Sequence, residues 1–146
     1  MLRFWRRHRA EPVMAELASG FWASEAVALQ RSILMCLTAT EKRAGGLDGR
    51  VQFSAGAEGR VVVLWQNRIV GFVPPDHVES LHAQLGEASP GALVASGRIR
   101  EYDGAWRIWV GPEWGGGPGG QAGPAEPIDE LDAPQPTILG VPIKRR

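Results

Sequence analysis

Residues 60–85 read RVVVLWQNRIVGFVPPDHVESLHAQL and predict a strand, a tight turn, a second strand and a short helix. The apolar, β-branched run 61–65 is typical of a strand. Gln66 and Asn67 can turn the chain, because Asn tolerates a left-handed backbone better than most residues. The run 68–73 then returns beside the first strand. The rest of the chain is expected either to pair with this hairpin or to connect to it.

The register of the hairpin follows from its turn. A two-residue turn places Leu64 opposite Ile69 and Val63 opposite Val70. Both faces of the pair are apolar, whereas a hairpin with one wet face would alternate. We therefore expect the hairpin to lie centrally, with packing on both sides. Gly71 in the second strand indicates a bend or a close approach of another backbone.

The double proline at 74–75 ends the second strand, and helix signals follow it. Asp76 is a good N-cap, and Glu79 lies three residues further on, as in a variant of the capping box. Gly86 suits the C-cap. His77 and His82 are expected to face solvent, because the apolar face of the helix consists of Val78, Leu81 and Leu85.

This unit resembles the middle of a HIRAN domain, a small β-barrel module found alone in bacteria and fused to helicase-like ATPases elsewhere. The residues that carry the resemblance are the strand 61–64, the segment NRIVGFVP at 67–74 and the helix through Leu85. The resemblance covers about residues 50–110 at most. It implies a β-barrel fold and binding to DNA ends or single strands.

Composition restricts the class of protein. The length of 146 residues indicates one domain. The formal net charge of zero gives no overall signal for a polyanionic partner. Its single cysteine, Cys36, excludes internal disulfides and a cysteine-based metal site. Neither a membrane-spanning apolar run nor a signal-peptide pattern stands out. We therefore expect a soluble, cytoplasmic protein without a membrane partner.

The first nine residues, MLRFWRRHR, are basic and aromatic. Arg3, Arg6 and Arg7 could neutralise phosphates while the neighbouring rings stack on bases. The same pattern fits an anchor at a membrane surface, and it also fits a solvated terminus. The sequence leaves these three alternatives open.

The residues before the central hairpin are harder to interpret. Residues 11–20 and 24–31 have helical apolar spacing, which predicts a short helical lead-in after the arm. Residues 33–40, ILMCLTAT, could extend that helix or form a strand. We favour a strand over 33–39, because threonine suits strands and a barrel needs one here. Cys36 is then expected to be a small buried hydrophobic residue.

The segment 42–50, KRAGGLDGR, is predicted to be a loop. The pairs Gly-Gly at 45–46 and Asp-Gly at 48–49 are strong turn signals. Residues 51–54 are predicted to form a short strand that enters the central unit.

Asp103 and Gly104 predict a second hairpin, since they separate the alternating runs 92–102 and 105–110. A two-residue turn fixes three pairs on one face, namely Tyr102 with Ala105, Arg100 with Arg107, and Arg98 with Trp109. The other face is mostly apolar and is expected to point to the core; it consists of Ile99, Glu101, Trp106, Ile108 and Val110.

The polar face of this hairpin is the main candidate for binding. Arginines directly opposite each other repel, and a bound phosphate would relieve the Arg100–Arg107 pair while rings stack on bases. The alternative is that the arginines shield the sheet and stack on the aromatic rings. The predicted nucleic-acid-binding residues are Trp65, Arg98, Arg100, Tyr102, Arg107 and Trp109, assisted by Arg3, Arg6 and Arg7.

Residues 112–146 are rich in Gly and Pro and are predicted to be a disordered tail. The tail ends in PTILGVPIKRR, where four apolar residues precede three basic ones. These four, Ile138, Leu139, Val141 and Ile143, could add a strand to the sheet edge of a partner protein. The segment could also fold back on its own barrel or be a frayed terminus.

The sequence thus predicts a mainly β fold: a small β-barrel of five or six strands with one short helix and a disordered C-terminal tail. The expected divisions are a basic arm and lead-in (1–31), a HIRAN-like barrel (32–111) and the tail (112–146). No motif assembles a catalytic, metal-binding or cofactor-binding set. The expected function is non-catalytic binding of DNA ends or single strands, and the alternative is docking to a protein partner through the C-terminal peptide.

Overall fold

Seven strands form one curled half-barrel sheet in the computed structural model of the chain, which confirms the mainly β fold. The structure describes residues 11–112, Trp114, and residues 127–131, 137–138 and 141–142. The seven strands are β1 (Val13–Met14), β2 (Phe21–Trp22), β3 (Gly46–Ala55), β4 (Val61–Trp65), β5 (Arg68–Phe72), β6 (Leu93–Tyr102) and β7 (Ala105–Val110). Their order is β2-β7-β6-β3-β4-β5, and β1 lies parallel beside β6.

The described helices are α1 (Gln30–Leu34), α2 (Ala39–Arg43) and α3 (Pro75–Glu87). The sequence predicted α3, and its apolar face is confirmed, because Leu81 is fully buried and Val78 and Leu85 pack against the core. Its predicted ends are wrong. Pro74 occupies the N-cap position in place of Asp76, and Gly86 lies inside the helix. Pro75 suits the first helical position, because it has no N–H to leave unpaired there and its fixed φ matches the helix.

Both hairpin turns adopt the predicted two-residue form. Gln66 and Asn67 have φ of 52° and 65°, and Asp103 and Gly104 have φ of 52° and 79°. Positive φ at both central residues is the conformation that matches the twist of two strands. The register of β6 and β7 is confirmed at all three predicted pairs.

The register of β4 and β5 is only partly as predicted. Leu64 faces Ile69, but Val63 faces Gly71 and not Val70, because the register shifts between Val63 and Leu64. The predicted central position of this hairpin holds only for β4, which lies between β3 and β5, because β5 lies at one end of the sheet order.

Residues 21–24 join the two ends of the sheet. β2 pairs with β7, and the amide of Ala23 then donates to the carbonyl of Ile108 at 2.9 Å. The next residue, Ser24, forms an antiparallel bridge with Phe72 of β5, at 2.7 and 3.1 Å. Gly71 permits this contact, because a Cβ there would lie 2.5 Å from the Cβ of Ala23. The predicted close approach at Gly71 is therefore confirmed.

The segment 33–39 is not a strand, contrary to the prediction. Ile33 lies in α1, which contacts β5 and β7, and its side chain is fully buried. Thr38 then caps α2 in a capping box, in which its hydroxyl accepts from the amide of Glu41 at 3.1 Å and its own amide donates to the Glu41 carboxylate at 2.8 Å. The end of α1, with Ile33 buried, and the capped start of α2 thus occupy the segment where a strand was expected.

The predicted helix within residues 11–20 is also absent. Val13 and Met14 instead form β1, where the amide of Val13 donates to the carbonyl of Ala92 at 2.8 Å. Ser24, where the second helical segment was predicted to begin, lies outside any helix, and its hydroxyl donates to the carbonyl of Phe72 at 3.2 Å. In the segment that was predicted to be helical after Ser24, the helical elements are the short 3₁₀ turn Val27–Leu29 and α1.

The predicted loop at 42–50 is largely strand, since β3 begins at Gly46 and pairs with β6 over most of its length. Gly49 is not in a turn. A Cβ at this position would lie 2.8 Å from the indole of Trp65, so glycine leaves room for that ring. The two strands therefore pair continuously from Gly46 opposite Arg100 to Gln52 opposite Val94.

Most of the predicted tail, and the whole arm with Arg3, Arg6 and Arg7, lie outside the described residues. Besides Pro112 and Trp114, two further parts of the tail are described. Residues 127–131 lie against the body of the protein, and Thr137–Ile138 (β8) pairs with Val141–Pro142 (β9) in a separate two-stranded ladder. Among the described helices, none has the length and apolar character needed to cross a membrane.

Candidate nucleic-acid interface

The outer face of the sheet brings two predicted arginines to one carboxylate. Arg98 on β6 lies opposite Asp48 on β3, and its Nη1 is 3.0 Å from Asp48 Oδ2. Nη2 of Arg100 is 2.6 Å from Asp48 Oδ1. Each carboxylate oxygen thus binds a different guanidinium, and the Asp48 side chain remains 59% exposed. Asp48 therefore orients both arginines, of which Arg98 is 36% exposed and Arg100 is 11% exposed.

Arg50 enlarges this group. It lies two residues from Asp48 on β3, so it projects from the same face of the sheet, opposite Ser96. It is exposed, and among the described residues it has no ion-pair partner. We name Arg50, Arg98 and Arg100 the arginine patch. Three guanidinium groups against one carboxylate leave this surface with a local excess of positive charge.

An aromatic cluster lies beside the arginine patch. Trp22 packs on Trp109 and Tyr102, with ring centroids 5.3 and 5.1 Å apart. Trp114 lies 5.9 Å from Trp22 and 6.1 Å from Trp109, again between centroids. The guanidinium of Arg100 is 5.6 Å from the Trp114 ring, within the range of a cation–π contact. Trp114 is half-buried. Because its ring contacts both groups, it connects the arginine patch with the aromatic cluster.

Two of the predicted residues on this face are not exposed. Trp109 is fully buried, and its indole Nε1 donates to the carbonyl of Pro112 at 3.0 Å. The Arg107 side chain is 4% exposed; its Nη2 lies 2.8 Å from Asp129 Oδ2 and its Nε donates to the carbonyl of Tyr102 at 3.2 Å. Arg100 and Arg107 are thus each paired with a carboxylate of the chain itself, Asp48 and Asp129. These carboxylates relieve the repulsion that the sequence suggested a bound phosphate would relieve.

Trp65 lies apart from this interface. It is 3% exposed and belongs to the core on the inner face of the sheet. Its indole occupies the space over Gly49 and Gly97, and its carbonyl accepts a weak hydrogen bond from the Cys36 thiol at 3.7 Å. The structure therefore brings Arg98, Arg100, Tyr102, Arg107 and Trp109 to one face but places Trp65 on the other.

Cys36 is buried, as expected, and burial raises the pKa of its thiol against the opposing effect of Arg68. His77 differs from the expectation of a solvent-facing residue. Its ring lies 4.5 Å from the ring of Phe21, and burial lowers its pKa, against the opposing effect of Asp76. In both side chains burial disfavours the charged form, which suits packing roles.

The sequence did not identify three residues of the interface. Asp48 and Arg50 lay in a presumed loop, and Trp114 lay in the presumed tail. Within the described part of the chain, no three His, Cys, Asp or Glu residues come close enough to hold a metal ion. Comparison with protein-family models, with curated proteins and with solved structures finds no match to this chain.

Proposed function

We propose that this chain is a cytoplasmic, HIRAN-like accessory module that binds single-stranded DNA or DNA ends at the arginine patch without catalysing a reaction. The observation that carries the proposal is that two arginines share one exposed carboxylate beside Arg50, which has no ion-pair partner among the described residues. Phosphate oxygens bind guanidinium groups well, and each such contact releases a counterion from the nucleic acid.

The neighbouring ring supplies the second element of such a site. Proteins that bind single strands combine a positive surface along the backbone with aromatic rings on which bases stack. Trp114 lies within cation–π distance of both Arg98 and Arg100, at 6.0 and 5.6 Å. A strand whose phosphates contact the arginine patch would therefore place a base near this indole. The resemblance of residues 61–74 to the HIRAN family points to the same ligand.

The arginine patch can be tested with substitutions that leave the core intact. Replacing Arg50 and Arg98 together with glutamine should weaken binding of a short single-stranded oligonucleotide roughly tenfold at low salt. The slope of log affinity against log salt concentration should fall by about 1.4, because each lost phosphate contact on a single strand contributes about 0.7. Fluorescence anisotropy of a labelled oligonucleotide at several salt concentrations measures both quantities.

Three further chains make this experiment specific. Arg31→Gln removes an exposed arginine of α1, which packs on the inner side of the sheet, and should leave the affinity unchanged. Asp48→Asn removes the shared carboxylate and should strengthen binding severalfold. A chain that begins at Ala10 measures the contribution of Arg3, Arg6 and Arg7. Equal affinities for the wild type and the double glutamine variant would refute the arginine patch as the site.

A second candidate function is docking to a partner protein through the C-terminal residues. Ile138 pairs with Val141 in a short ladder that, in the described residues, pairs with no strand of the main sheet. Short strands of this kind can add to the sheet edge of a partner. A chain that ends at Gln135 should then lose a partner recovered by cross-linking to the full chain, yet bind the oligonucleotide as before. Retention of that partner would exclude this docking mode.

A further inference from the structure

Residues 127–131, which we call the strap, bind to the body of the protein through one glutamate. The amide of Glu25 donates to the carbonyl of Ile128 at 2.8 Å. Its Oε1 atom accepts from the amides of Glu130 and Leu131, both at 2.8 Å. Glu25 thus forms three hydrogen bonds with the backbone of a segment more than one hundred positions away. Backbone contacts of this kind recognise an extended peptide irrespective of most of its side chains.

One side chain of the strap is recognised specifically. Asp129 Oδ2 lies 2.8 Å from Nη2 of Arg107, and Asp129 Oδ1 accepts from the amide of Val27 at 3.3 Å. A guanidinium and a backbone N–H therefore bind the two oxygens of one carboxylate. Because the Arg107 side chain is almost fully buried, this pair is shielded from water far better than a surface ion pair. The geometry selects an aspartate at this position.

The groups that hold the strap are built into the body at a conformational cost. Glu25 is 2% exposed and has φ of 67°, in the left-handed region that side chains other than Gly, Asn and Asp seldom adopt. A guanidinium nitrogen of Arg60 lies 3.8 Å from its second oxygen, Oε2. A buried carboxylate in a strained backbone, directed at the amides of another segment, is typical of a binding site.

A cavity adjoins the strap where its aliphatic residue lies. Its volume is about 390 Å³, and it is lined by Arg60, Val73, Pro75, Val78 and Ile128, among others. Ile128 remains partly exposed, so its side chain does not fill this space. A larger apolar side chain at this position of a peptide would find room in the cavity.

We propose that this surface is a binding site for short extended peptides in which an apolar residue precedes aspartate, and that the strap is its intramolecular ligand. The partner is a segment of another protein with this chemistry, which displaces the strap. Twelve residues, six of them glycine, separate Trp114 from the strap. A ligand attached through a short linker competes at an effective concentration of about millimolar. The site would therefore select partners that bind better than the strap does. This inference is independent of nucleic-acid binding at the arginine patch.

The test uses a fluorescent peptide with the sequence of residues 125–133, AEPIDELDA. Full-length chain with Asp129→Ala carries a weakened strap and should bind this peptide at least about tenfold more tightly than the wild-type chain does. A peptide with asparagine only at the position of Asp129 should bind the same variant about tenfold more weakly, since it loses the charged contact with Arg107. Glu130→Ala is the matched control, because that residue contacts Glu25 only through its backbone, and it should behave like the wild type.

A second measurement decides the matter if the Asp129→Ala chain does not fold. A protease site inserted between residues 115 and 126 of the otherwise wild-type chain allows the strap to be cut from the body. The cut segment should stay with the body in gel filtration and be released by an excess of the unlabelled peptide. Equal binding of the aspartate and asparagine peptides, or immediate separation of the cut segment, would overturn the proposal.

Discussion

Replacement of Trp65 with alanine should lower the free energy of unfolding by about 3–5 kcal/mol. The Trp65 side chain is 3% exposed, and its indole covers Gly49 of β3 and Gly97 of β6. Neither glycine has a side chain that could move into the space left by the ring, so the cavity would persist. Because domains of this size are stable by about 5–15 kcal/mol, the variant should lose a large part of its stability. Urea denaturation followed by far-ultraviolet circular dichroism measures the change.

Trp114→Ala is the matched control for this variant. That indole is half-buried and lies outside the core, so its loss should cost much less. The two variants should also differ in oligonucleotide binding, which Trp114→Ala weakens if bases stack on its ring. A Trp65→Ala chain with wild-type stability would show that this indole does not belong to the core.

Substitution of Gly71 with alanine should destabilise the protein by about 2–3 kcal/mol, at the upper end of the usual cost of overpacking. The added Cβ would lie 2.5 Å from the Cβ of Ala23 and 3.1 Å from the carbonyl oxygen of Ser24. Neither atom is the end of a flexible side chain, so the backbone at 21–24 would have to move. The bridge from Ser24 to Phe72 would weaken as a result. Thermal denaturation, with the shift in Tm converted to free energy, measures the effect.

Gly86→Ala is the matched control: it makes the same chemical change but should stabilise the protein. Gly86 lies in α3, and a Cβ at this position would meet no atom within 4 Å. Alanine favours the helical backbone over glycine, so this variant should gain up to about 1 kcal/mol. A Gly71→Ala chain as stable as the Gly86→Ala chain would mean that residues 21–24 do not contact β5.

Turn chemistry made both hairpins readable from the sequence. The turns at Asn67 and Asp103 require positive φ at neighbouring residues. Asn, Asp and Gly are the residue types that tolerate this conformation, so the local sequence indicates the turns. The shift between Val63 and Leu64 had no such signal, because any pair of apolar residues could accommodate it. Local chemistry thus determined the turns but not the irregularity beyond them.

Glycine misled the interpretation of β3. The turn predicted at 45–46 is confirmed at Gly45, which has φ of 93° just before β3. The turn predicted at Gly49 is wrong, because that position is a glycine to make room for an indole from β4. That reason is visible only once β3, β4 and β6 are adjacent. The error concealed Asp48 and Arg50, which complete the interface. The capping box at Thr38 and Glu41, by contrast, was present in the sequence and could have identified α2.

The polar face of the second hairpin shows the limit of register arguments. Its pairs were predicted correctly, but Trp109 and Arg107 are covered by residues outside the hairpin. Trp22 and Trp114 cover the first, and Asp129 pairs with the second. Alternation along a strand identifies which residues share a face. It does not reveal what covers that face.

The pairing of Phe21 with Val110 has a consequence for folding during synthesis, because the two residues leave the ribosome at different times. Protein synthesis adds about 5–20 residues per second, so Val110 follows Phe21 by roughly 4–18 seconds. Two-residue hairpins form within microseconds, and both can therefore exist before residues 21–24 find their partners. During that interval the apolar side chains of Phe21 and Trp22 lack their native contacts with β7. The nascent protein is thus most exposed to chaperones and to aggregation at the segment that finally joins the two ends of its sheet.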